Sequence, residues 1–150
     1  MNNSGTQRTH NTSATSVNGA LADSGLICLL IIARFHDLPA DGSQLRHQFA
    51  HSGQVLSDAD LLRAAKHLGL KAGPFKTTWS KLLGTPLPAM AKRTDGSYIM
   101  LAKVEEEKVL VQDPVEARPL VLSRGQFEAT WTGELLLFTK RATVRPQDLT

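Results

Sequence analysis

Asp23-Ser24-Gly25-Leu26-Ile27-Cys28-Leu29-Leu30-Ile31-Ile32-Ala33-Arg34-Phe35-His36 is the stretch on which the fold turns. Asp23 and Ser24 can each accept hydrogen bonds from the free N–H groups of a helix start, and the run behind them predicts that helix. It is apolar on nearly every side, so it has no face to give to water and must lie at the centre of the fold. The run is far shorter than the ~20 residues that a bilayer-spanning helix needs, and Arg34 and His36 follow it directly.

Working outward, a turn over Leu38–Gly42 leads to a second predicted helix from Ser43 to about His51, with Leu45 and Phe49 facing the core and Gly53 beyond its end. Ser57-Asp58-Ala59-Asp60 reads as a capping box with Asp in the usual Glu position. Leu61, Leu62, Ala65 and Leu68 then recur at helical spacing up to a Gly69 stop. After Gly69 the period changes to short strand-like runs: Lys71–Phe75, Leu87–Lys92, Tyr98–Val104, Lys108–Gln112, Pro119–Leu122 and Glu134–Lys140. Thr78–Leu83 reads as a helical turn carrying Trp79, and Ser123 to about Thr130 as a short helix. Asp95-Gly96 favours a tight hairpin turn between two of the strands. Helices first and antiparallel strands second predict an α+β domain over residues 21–140. Residues 1–20, rich in Asn, Ser and Thr, read as a disordered leader, and residues 141–150 as a linker.

At 150 residues and 41% hydrophobic content the chain suits one domain with one core. Lys and Arg exceed Asp and Glu by 17 to 14, a mild excess spread along the chain. Nucleic-acid binding would need those cations gathered on one stripe with aromatics between them. The single cysteine, Cys28, excludes an internal disulfide and a Cys-rich metal site.

A cysteine peptidase needs a thiolate at a helix N-terminus and an imidazole held by a third polar group. Cys28 lies a full turn inside the first helix among Leu26, Ile27, Leu29 and Leu30, which predicts a buried, inert thiol with a raised pKa. Ser24 stands at the helix start, where it reads as an N-cap; as a nucleophile it would need a base. The histidines are His10, His36, His47, His51 and His67, none of them in the strand half. His47 and His51 lie at i, i+4 but lack an acidic partner in the zincin pattern and a third ligand, so no metal is expected.

The residues also suggest a family. Asp23-Ser24-Gly25-Leu26-Ile27-Cys28-Leu29 followed by Ala33-Arg34-Phe35-His36 resembles the Asp-Cys-Gly-x-x-Cys-Leu…Ala-Arg-Tyr-His signature of the bacteriocin-processing cysteine peptidases, papain-like domains fused to ABC exporters. Read through that resemblance, Ser24 replaces the catalytic cysteine, Asn18 the oxyanion-hole glutamine and Tyr98 the catalytic histidine. Asp113 keeps the third position. The pattern is similar to the degenerate peptidase-like domain of haemolysin-type transporters of type I secretion, which engages the secreted RTX toxin without cutting it. Leu87-Pro88-Ala89, Asp95-Gly96…Ile99-Met100-Leu101-Ala102-Lys103-Val104 and Trp131-Thr132-Gly133-Glu134-Leu135-Leu136-Leu137 extend the similarity.

The resemblance implies a papain-like cysteine peptidase fold on the cytoplasmic face of a bacterial inner membrane, binding unfolded secreted protein. It implies no cofactor in this domain, with membrane helices and an ATPase using ATP and Mg in the rest of the transporter. A periplasmic adaptor complex is a further expected partner, and nucleic acid is not one. Trp79, Tyr98 and Trp131 are the candidates for gripping substrate, with the core as the bland alternative for each and favoured for Trp131. Tyr98 is expected to fill the space of the lost imidazole. Two rival readings stay open: a residual peptidase using Ser24 or Cys28, and an assembly module docking on the transporter or the adaptor.

Overall fold

The computed structural model describes residues 23–140, Val115 and Ala117 excepted. Three helices come first: α1 (Ser24–Phe35), α2 (Gly42–Phe49) and α3 (Asp58–Leu68). There follow β1 (Leu70–Lys76), a 3-10 helix (Trp79–Gly84), β2 (Ala89–Arg93), β3 (Tyr98–Val104), β4 (Lys108–Gln112), β5 (Pro119–Ser123), α4 (Arg124–Thr130) and β6 (Trp131–Lys140). The expected α+β order is the observed one. Asn18, the leader and the linker lie outside the described residues.

Several boundaries differ from expectation; β2, for example, runs Ala89–Arg93 against the expected Leu87–Lys92. Asp41 caps α2 by accepting from the Gln44 N–H at 3.2 Å, so the helix begins at Gly42 and ends at Phe49, where Ala50 is already extended. Asp23, not Ser24, is the N-cap of α1, its carboxylate accepting from the Leu26 N–H at 3.4 Å. β6 begins at Trp131 because that residue pairs with Arg93 of β2 across a register shift. Thr132-Gly133, with Gly133 at φ 91°, hid that start in the sequence.

The capping box of α3 forms as read: Ser57 Oγ accepts from the Asp60 N–H at 3.2 Å while Asp60 accepts from the Ser57 N–H at 3.0 Å. Gly69 closes the helix in the left-handed region at φ 99°, a conformation other residues adopt only at a cost. At the β2–β3 turn, Gly96 at φ 89° allows its N–H to donate to the Arg93 carbonyl at 2.9 Å, and the Arg93 N–H donates to the Ser97 carbonyl at 2.8 Å.

The strands form one antiparallel sheet in the order β1-β6-β2-β3-β4-β5, so the last strand inserts between the first two. Alternation along the strands divides the core in two. Met90, Tyr98, Met100, Leu136 and Phe138 face the helices, where they pack with Leu29, Ile32, Leu61 and Ala65. Ala91, Ile99, Leu101, Val111 and Leu135 face the other way, onto Trp79, Leu82 and Phe127. Both faces of the sheet are therefore covered. On the first face α1 approaches so closely that a Cβ at Gly25 would come within 2.7 Å of Leu61 and 3.1 Å of the Tyr98 ring.

Two outcomes test this packing. Cys28 is fully buried, and burial pushes its thiol up to about 12. DTNB should react with the urea-unfolded chain and far more slowly with the folded one; equal rates would place the thiol at the surface.

Asp60 is the second probe. Burial works against its charge, but the bonds to Ser57 and the nearby His51 and Arg63 more than offset that and hold the carboxyl below its usual range. A depressed native pKa contributes stability that is present at neutral pH and lost as pH falls through it. Asp60→Ala should lower stability by about 1–3 kcal/mol near pH 7, and urea melts should show that gap narrowing in acid.

Candidate functional site

The site forms where the N-terminus of α1 meets the start of β3. The Tyr98 N–H donates to Ser24 Oγ at 2.9 Å, a buried bond between residues 74 apart in sequence. The helix brings the hydroxyl there because Asp23, itself buried, caps the first turn and leaves Ser24 free to face the sheet. Burial raises the Asp23 pKa, against the pull of the Leu26 N–H and of the Arg46 guanidinium 3.7 Å away.

Tyr98 is only 5% exposed. Its ring lies against Gly25 and Leu61, and its hydroxyl oxygen has no hydrogen-bond partner. Beside it opens a cavity of about 270 Å3 lined by Asp58, Phe75, Lys76, Lys92, Glu134 and Leu136, among others. Lys92 Nζ reaches Asp58 Oδ2 at 3.0 Å, tying the start of α3 to β2. Asp113, just past the end of β4, receives a 2.7 Å bond from the Arg93 guanidinium at the end of β2. Sequence reasoning singled out Asp113 and overlooked Arg93. Nothing in the spacing of the many scattered cations says which one the sheet aims at a given carboxylate.

Ser24 thus meets Tyr98 where α1 reaches the start of β3, and the Arg93–Asp113 pair joins the ends of the two strands on either side of β3. The described histidines His36, His47, His51 and His67 all lie in or beside the helices. Among the described residues no group of three or more His, Cys, Asp or Glu side chains is placed to hold a metal ion.

The three aromatic candidates separate by burial. Trp79 is buried, donating its indole N–H to the Glu106 carbonyl at 3.3 Å, with Phe127 6.1 Å away and the Arg124 guanidinium 5.6 Å over its ring. Trp131 is partly exposed; its indole N–H donates to the Glu134 carbonyl at 3.0 Å and its ring stacks 5.0 Å from Phe127. Among the described residues, the large apolar side chains that do face solvent are Phe35, Val55, Phe75, Leu83 and Val121, none of which the sequence set apart as a substrate contact.

Known proteins place this arrangement in a family. The Peptidase C39 family model matches residues 14–143. The cyclolysin secretion/processing ATP-binding protein CyaB of Bordetella pertussis is 41% identical over 129 residues, covering 84% of this chain and 18% of that protein. The alpha-hemolysin translocation ATP-binding protein HlyB of Escherichia coli O157:H7 is 33% identical over 123 residues, covering 81% of this chain and 17% of that one. The chain therefore spans less than a fifth of the length of these relatives. Among solved structures, the N-terminal peptidase C39 like domain of a toxin secretion ATP-binding protein from Vibrio parahaemolyticus matches with a TM-score of 0.71 at 22% identity, covering 79% of this chain and 98% of that one. A double glycine motif protease from an AMS/PCAT transporter, solved with a leader peptide, matches with a TM-score of 0.73 at 18% identity, covering 80% and 86%. Those two likenesses show the fold, the papain-like arrangement of helices on an antiparallel sheet. By its sequence and its fold, this chain belongs to the peptidase C39 family.

Proposed function

We propose that the chain is a non-cleaving peptidase-like domain of a toxin-exporting type I secretion ABC transporter, which holds unfolded secreted substrate for export. The observation that carries this is the bond from the Tyr98 N–H to Ser24 Oγ. A serine hydroxyl attacks a carbonyl only when a base takes its proton. Here a backbone amide already occupies a lone pair, and a tyrosine stands where the resemblance puts the base. With an ordinary pKa of about 10, a phenol is a poor proton acceptor near neutral pH. On this reading Ser24, Tyr98, Asp113 and Asn18 are vestiges of a cysteine peptidase site.

The names of the relatives, which speak of secretion, translocation and ATP binding, support the transporter context. The remainder of the protein would then supply membrane helices and an ATPase using ATP and Mg, with this domain on the cytoplasmic side and a periplasmic adaptor among the partners. A loose, sequence-tolerant grip on an unfolded chain suits exposed apolar side chains. Trp79 and Tyr98 have their rings in the core, so Trp131 and exposed groups such as Phe75, on the rim of the 270 Å3 cavity, are the better contacts.

Cleavage assays decide the catalytic half of the proposal. The domain should leave a double-glycine leader peptide intact, and Ser24→Cys alone should not restore cutting; measurable turnover by the unmodified chain would overturn the reading.

Binding decides the other half. Tyr98→Ala should lower stability by about 1–3 kcal/mol through the lost ring packing. Its affinity for the unfolded C-terminal part of an RTX toxin should stay within about 0.5 kcal/mol, well short of an aromatic hot spot. A large loss of affinity at unchanged melting temperature would instead put Tyr98 on the substrate.

A further inference from the structure

On the vestigial reading given above, Asp113 is the carboxylate of the old site, and in the structure it is bonded by Arg93. β3 lies between β2 and β4 in the sheet, and Tyr98 opens it opposite Lys92. Arg93 follows Lys92 on one side, and Asp113 follows Gln112, the partner of Met100, on the other. Their ion pair, at 2.7 Å, thus links the ends of the two strands that flank Tyr98. Both side chains are largely shielded, Arg93 at 23% and Asp113 at 16% exposure. Arg93 cannot easily turn elsewhere. Its backbone N–H is fixed in the hairpin to the Ser97 carbonyl, its Cα partner in β6 is Trp131, and its Nε is buried with no hydrogen-bond partner.

We infer that Arg93 is a positioning residue that captures the acid of the old catalytic site, so that the site stays disarmed even where an imidazole is put back in place of Tyr98. The inference rests on the vestigial reading of Tyr98 and Asp113 given above. In a peptidase triad the carboxylate accepts from the ring N–H of the histidine, fixes its tautomer and stabilises the imidazolium formed when the nucleophile's proton moves onto the other ring nitrogen. A guanidinium is charged at every working pH and donates from a fixed fork, whereas an imidazole is charged only below about pH 6.5. At neutral pH the two compete for one carboxylate, and the pre-placed guanidinium wins. The proton transfer then lacks its counter-charge.

The test is the titration of the ring introduced by Tyr98→His, followed by NMR and identified by difference from the parent, which contains five other histidines. Other charges around the ring are the same in every variant: the Lys92–Asp58 pair, Lys76 and Glu134 on the cavity wall, with the Cys28 thiol uncharged. In Tyr98→His alone the ring should titrate at or below about 6.5. Adding Arg93→Gln should raise the midpoint by a unit or more, a tenfold gain in imidazolium at a given pH, and Arg93→Lys should raise it less. Adding Asp113→Asn to the Tyr98→His/Arg93→Gln protein should remove most of that rise, which separates an effect through the carboxylate from the simple loss of a neighbouring cation. Thermal melts accompany each variant.

A midpoint a unit or more above 6.5 in Tyr98→His would show that the imidazole already holds Asp113, and it would overturn the inference even if Arg93→Gln failed to fold. An unchanged midpoint in folded Tyr98→His/Arg93→Gln would overturn it as well. Neither result touches the leader-cleavage assay, so the proposed function and this inference can fail separately.

Discussion

The structure depends on one constraint: an almost wholly apolar helix must be buried, and the sheet built from the other half of the chain buries it together with α2 and α3. α1 meets that demand by lying against β3 with Gly25 at the point of contact, close enough for Ser24 to receive the Tyr98 N–H. The closeness matters beyond stability. In a fold of this kind the groove between helix and sheet is where a nucleophile and its base would face each other. In this chain the same groove holds a hydroxyl engaged by backbone and a phenol ring wedged against a glycine.

Burial also sets the state of the remaining polar groups. Cys28 sits where a thiolate would be desolvated, a cost that the Arg93 charge offsets only in part, so its pKa rises to about 12. Asp23 is retained in a dry position because it caps α1, and its raised pKa reflects what that burial costs the charged form. Asp113 is held instead by the Arg93 guanidinium, 2.7 Å away.

The two tryptophans divide by burial. Trp79 packs with Phe127 under the Arg124 guanidinium, while Trp131 is partly exposed. Phe75, on edge strand β1, exposes its ring to solvent.

Much was legible from the chain alone because it is locally coded. The apolar run of α1, the reciprocal Ser57–Asp60 cap, the Gly69 stop, the Asp95-Gly96 turn and the apolar run that opens β3 each depend on neighbours a few residues away, and each appears where the sequence put it. The absence of any histidine in the strand half is likewise a plain property of the sequence. Non-local choices stayed hidden. That β6 inserts between β1 and β2, that it starts at Trp131, that Ser24 receives the Tyr98 N–H, and that Arg93 reaches Asp113 are settled by sheet register and helix approach, which join residues far apart along the chain. Spacing in sequence carries no record of such distances, because many pairings satisfy the same alternation and only the packed sheet selects one.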